Sequence, residues 1–103
     1  VKSAREPQIS AAQGMAAKIT VVKPTDDVAA EMKSCPTWSC GVSVFDWYYD
    51  EPETCLVLSG EVHVTTSDGD TVSFGAGDLV SFPQGLKCTW DVRAPVRKHF
   101  RFG

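Results

Sequence analysis

Histidine is scarce in this chain, and positive charge is in deficit. Only two histidines occur in 103 residues, and none of the four cysteines belongs to a Cys-x-x-Cys pair. A structural zinc site needs four such ligands at close spacing, so none is expected. The net charge is −3 and the isoelectric point is near 5.2. Nucleic-acid binding needs clustered lysine and arginine to neutralise phosphates, and this balance argues against it. No stretch reaches the roughly 18 consecutive apolar residues of a transmembrane helix, so no membrane partner is expected. Internal repeats are also absent.

What is present has the composition of a globular domain. A length of 103 residues fits one domain. Such a chain buries a modest core and has little stability to spare. Eight glycines and six prolines imply frequent turns. Cys35, Cys40, Cys55 and Cys88 read as reduced, partly buried thiols, which points to an intracellular reducing compartment, cytoplasm or plastid. A short-range Cys35–Cys40 disulfide is the alternative. The chain starts at Val1 rather than Met, and residues 1–16 open with "VKSAREPQISAAQG". That stretch is small, polar and aperiodic. It reads as a flexible arm, either a remnant near a transit-peptide cleavage site or a tag or arbitrary boundary. Residues 17–103 then form a single domain.

Within that domain, "AKITVVK" (17–23) is β-branched and reads as a strand. "PTDDVAAEMKS" (24–34) carries a helix start, with Thr25 as N-cap and Asp26 and Asp27 at the positive end of the dipole. Val28 and Met32 lie four apart and would face the body. "CPTWSCG" (35–41) reads as a connector with Trp38 as an aromatic plug. Strands follow at 42–49, 54–67, 71–74, 79–82, 87–92 and 96–102, with Gly60 marking a bend in the long one. Asp68-Gly69 is a hairpin signal of the type I′ kind. About eight or nine short strands with one short helix make an all-β sandwich or barrel.

The turns and acids keep a fixed spacing. Gly41-x5-Trp47-x-Tyr49-x3-Glu53-x6-Gly60 is followed, after residues 61–76, by Gly77-x5-Pro83-x-Gly85-x2-Cys88-x3-Val92. This skeleton resembles the two motifs of the cupin superfamily. The resemblance implies a small cupin jelly-roll β-barrel. It also implies that the family's metal ligands, three histidines and a glutamate, fall on Trp47, Tyr49, Glu53 and Cys88, of which only Glu53 is of the family type. The asparagine that closes the second motif is Val92. The wording "FDWYYDEPETCLVLSGEVHVTT", "GDLVSFPQGLKCTW" and "VRKHF" is similar to small single-domain cupins grouped with the cupin domain of ureidoglycine aminohydrolase. That enzyme has two cupin domains and releases ammonia from ureidoglycine with manganese. The likeness spans residues 17–103.

Residues two apart in a strand share a face. Trp47 and Tyr49 therefore point together, as do Cys88 and Trp90. By the resemblance they meet Glu53 at the barrel mouth, with Phe82 and His99 as further pocket residues. Aromatic walls suit planar or apolar ligands, and Glu53 could pair a cation or act as a general base. Cys88 reads either as an inert buried thiol or as a nucleophile or ligand, activated by one of Lys87, Arg93, Lys98 or His99. Arg97, Lys98 and Arg101 read as an anion site or as an alternating basic edge strand.

Three functions follow from these residues. One is a barrel pocket for a small polar metabolite, without a standard metal site and with no cofactor expected. Another is a structural or interaction barrel whose pocket is filled by side chains. The third is a hydrolase-like enzyme using Glu53, Cys88 and Tyr49, with Glu53 and Cys88 as remnant ligands of a weakly held divalent metal. A homodimer is expected as well, because a barrel this small gains from the extra burial.

Overall fold

Residues 87–102 show the cleanest pattern in the chain. Cys88, Trp90, Val92, Val96 and Lys98 are buried, while Lys87, Arg93, Arg97 and Arg101 face out. This period of two is that of a strand with one face on the core. The computed structural model describes residues 19–103; the expected flexible arm lies outside the described residues, as do the first two residues of the expected first strand. In chain order the elements are β1 (Thr20–Val22), α1 (Asp26–Met32), β2 (Thr37–Cys40), β3 (Ser43–Tyr48), β4 (Glu53–Thr66), β5 (Thr71–Gly75), β6 (Leu79–Phe82) and β7 (Lys87–Phe102).

The two longest strands, β4 and β7, pair antiparallel from Glu53↔Phe102 to Thr66↔Cys88. Every other described strand hangs from this ladder. The first part of β4 carries β6, which carries β1, and the last part of β7 carries β2. The second part of β4 carries β5, and the first part of β7 carries β3. The two wings close on one core. Cys55, Val57, Val80 and Phe82 of one meet Val62, Val64, Phe74 and Trp90 of the other. The all-β domain with one short helix is therefore observed among the described residues.

Between the wings the ladder shifts register, from Val57 to Val62 on β4. Gly60 sits at the shift with φ 108°. A Cβ there would lie 2.5 Å from the Pro95 carbonyl oxygen and 2.6 Å from Val96 Cα. Only glycine permits both the backbone angle and that approach.

Two expectations change. Residues 87–102 form one strand rather than two. Pro95 has a fixed φ that an extended chain accepts, and it faces the irregular stretch of β4, where the ladder does not require its missing N–H. The segment 35–41 is not a plain connector. Thr37–Cys40 is a strand paired with Val96–His99, so Trp38 stands directly opposite Lys98. The helix matches its signals: Thr25 Oγ1 accepts the Val28 N–H at 3.3 Å, and Met32 is fully buried. All four cysteines are free thiols. Among the described residues no helix is long and apolar enough to cross a membrane.

Substituting Gly60 by Ala should cost about 3 kcal/mol, because strain and a backbone clash add. Gly69, with φ 94° and open space around it, should lose only about 1 kcal/mol as Ala, the strain of the angle alone. Urea unfolding midpoints of the two variants measure the difference, and equal losses would show that the Pro95 approach does not fix Gly60.

Candidate functional site

Three backbone devices bring the site together. Tyr49, one residue past β3, donates its N–H to the Leu86 carbonyl at 2.9 Å and accepts the Gly85 N–H at 2.7 Å. The turn of the second motif thereby holds an aromatic ring of the first. Glu53 opens β4 facing inward, and Lys98 lies on the inward face of β7. Trp38 and Trp90 stand on β2 and β7 on either side of the lysine, the first across the ladder and the second on the same strand face.

The result is a cavity of about 250 Å³ at the barrel mouth. Glu53, Lys98 and seven aromatic side chains line it. Lys98 Nζ donates to Glu53 Oε2 at 2.6 Å, and the two side chains are only 7% and 6% exposed. The same ammonium lies 5.1 Å from the Trp38 ring centre and 4.8 Å from that of Trp90. Both distances are within the range where the electron-rich face of an indole attracts a cation. A buried ion pair is held well only when geometry is close and other partners share the charge. Here the two rings do so.

Phe82 lies behind the cavity. It stacks on Tyr49 at 4.6 Å and leans on Trp90 at 5.8 Å. The Trp90 indole N–H donates to the Tyr49 hydroxyl at 3.2 Å. Burial, then the charges of Glu53 and Cys88, push the Tyr49 phenol well above its usual range, so it stays neutral. Phe45 stacks on Trp90 at 6.0 Å, and Trp47, half exposed, forms the rim.

A model of the EutQ-like cupin domain matches residues 28–100. This chain belongs to the EutQ-like cupin family. The cupin is 46% identical to a DUF861 family protein from Thermotoga maritima, with a TM-score of 0.81, over 84% of this chain and all of that one. It is also similar to the EutQ protein of Clostridium difficile, at 26% identity and TM-score 0.59 over 64% of this chain. It spans about half (52%) of that protein's length. A putative ethanolamine utilization protein Q from Salmonella typhimurium shares the fold at 22% identity and TM-score 0.56, over 82% of this chain and 68% of that one. No curated protein matches the chain.

The cupin's four ligand positions do not suit a divalent metal. Metal ligands must offer a free lone pair, usually after losing a proton. The Trp47 indole has none to offer, and the Tyr49 phenol holds its proton. Glu53 already faces the Lys98 ammonium. Burial, then the Asp46 charge, push the Cys88 thiol up to about 11, and its S–H donates to the Trp47 carbonyl at 3.7 Å. Among the described residues no three His, Cys, Asp or Glu side chains come together as a ligand set. No step is routed through a metal.

The structure brings Trp47, Tyr49, Glu53 and Trp90 into one cavity. Cys88 is buried but lines a separate, shallow recess with Asp46, Lys87 and Thr65. Phe82 supports the cavity from behind rather than lining it. His99 faces away, its Nδ1–H donating to the Cys35 carbonyl at 2.8 Å. Lys98 is the residue that the sequence reading grouped wrongly. It belongs to the core face, whereas Arg97 and Arg101 on either side of it are exposed. The inward parity of Cys88, Trp90, Val92 and Val96 on the same strand was the signal that could have placed it. Phe45 shares parity with Trp47 and Tyr49 in the same way.

Glu53→Gln or Lys98→Met alone should cost about 3 kcal/mol or more, since each strands a buried partner. The double variant should lose clearly less than the sum, and a chemical-denaturation cycle reads the coupling. Additive losses would mean the pair does not interact. The thiols make a second prediction. Burial is the main cause that pushes Cys55 up to about 12, with Lys98 opposing and Glu53 adding. At pH 8 roughly one Cys88 thiol in a thousand is thus ionised. Iodoacetamide at pH 8 should label the half-exposed Cys35 and Cys40, leaving Cys55 and Cys88 untouched by peptide mass mapping. Cys88 labelling in folded protein should climb only as pH approaches 11. Rapid labelling of Cys88 at pH 8 would contradict its burial.

Proposed function

We propose that this cupin is a non-catalytic binding module whose barrel mouth holds one small polar metabolite. The observation that carries the reading is the cavity itself: about 250 Å³, walled by aromatic rings, with a buried Glu53–Lys98 pair among them. Ligand sites are typically apolar clefts with a few placed polar groups, at roughly 300–1,000 Å³ for drug-sized molecules. A cavity just below that range suits a smaller molecule. Chemistry is disfavoured by the same inventory. The carboxylate is engaged with an ammonium, the phenol is neutral, and the buried thiols keep their protons. The likeness to the ureidoglycine aminohydrolase group rests on sequence wording alone and supports the fold more than the reaction.

One observation favours the packed-barrel alternative. Glu53 and Lys98 satisfy each other, so the interior needs no ligand to compensate its charges. A homodimer also belongs to the proposal, supported by the exposed Val42, Val44 and Tyr48 along the β3 edge. So does a reducing intracellular compartment, supported by four free thiols.

Thermal-shift screening against a metabolite library tests the binding reading. A ligand at a hundred times its Kd adds about 2.7 kcal/mol of stability, and Trp47→Ala at the rim should remove that gain while unfolding normally by itself. If no compound shifts the wild type and Trp47→Ala merely destabilises the fold, the packed barrel is the better description.

A further inference from the structure

The chemistry of the cavity walls narrows what they can hold. Among the described residues, Glu53 and Lys98 are the only charged groups lining it. Their side chains are more than nine-tenths buried, and one hydrogen bond joins Nζ to Oε2. A carboxylate has two acceptor oxygens and an ammonium has three N–H bonds. Among the described residues neither group makes another hydrogen bond. Among the described residues Glu53 Oε1 is thus an unused acceptor, and Lys98 has N–H bonds to spare. Acceptor and donor sit side by side at the end of an aromatic slot.

The charge balance decides between ligand types. The pair sums to zero. An anion entering would compete with Glu53 for Lys98 and leave a net negative charge in a desolvated site. A cation would do the reverse. Either leaves a buried charge without its full partner, which is strongly unfavourable. A neutral molecule keeps the balance and can still meet both groups.

We infer that the cavity selects a small, neutral, planar molecule that carries a carbonyl oxygen beside an N–H, an amide or lactam. The carbonyl oxygen accepts from Lys98 Nζ, the N–H donates to Glu53 Oε1, and the flat body lies against the aromatic faces. This selection rests on the binding reading proposed above.

Three probes of one shape and size test it: benzamide, benzoate and benzamidinium. All three tryptophans of the chain line the cavity, so their indole N–H signals in two-dimensional NMR of the full chain report occupancy. Benzamide should shift these signals with a Kd at least tenfold below those of the two ions. Lys98→Met should turn the preference toward benzamidinium, and Glu53→Gln toward benzoate, a reversal that loss of fold does not produce. If either variant fails to fold, the wild-type ranking of the three probes stands as the test. Benzoate or benzamidinium binding the wild type as tightly as benzamide overturns the selection and leaves the binding reading intact. No indole shift with any probe at millimolar concentration overturns both.

Discussion

The pairing of β4 with β7 governs this domain. Each contributes a face to both wings, and every other described strand is hydrogen-bonded to one of them or to a neighbour of one. The ladder must therefore change register where the wings meet. It does so at Gly60, where Pro95 comes too close for any side chain. The same ladder sets the site. Once Val57 is opposite Lys98 and Glu53 opposite Phe102, the inward faces of two strands deliver a carboxylate and an ammonium to one point. No loop conformation is needed to bring them together, so the pair is as rigid as the sheet.

The electrostatics of the barrel mouth follow from that. In the cupins that the sequence resembles, the glutamate of the first motif serves a metal ion. Here Glu53 keeps a positive partner, but the partner is a covalently attached ammonium. An ammonium is a compact donor of hydrogen bonds without the coordinating power of a divalent ion. Trp38 and Trp90 complete its surroundings with their ring faces. Aromatics at the family's histidine positions and a lysine on the last strand thus fit together as one change of chemistry.

Much of this was legible in the sequence, for identifiable reasons. The β-branched runs, the helix cap at Thr25 and the glycine-proline spacing are local signals, and local structure followed them. The grouping of Trp47, Tyr49, Glu53 and Trp90 came from strand parity applied to a known skeleton. Counted along the chain, Arg97, Lys98 and Arg101 look like a solvated basic edge; counted by face, Lys98 falls on the buried side. The turn formers of "CPTWSCG" favour a loop at Trp38, yet pairing with β7 overrides that preference. Cys88 has the inward parity expected of it. Parity fixes the face but not the height along the strand, and one position lower places it in a neighbouring recess.

The position of β7 in chain order has a further consequence, for the timing of folding. It is the last of the seven described strands in sequence, yet it is the neighbour of β2, β3 and β4 in space. Before any of β7 has been made, β2 and β3 have no partner, and β4 has one bare edge along its whole length. An emerging chain is then an unfinished sheet with open edges, the species most exposed to pairing with other chains. Its contacts are mostly between residues far apart in sequence, which slows closure once the last strand arrives. The sheet therefore closes only once β7 is present.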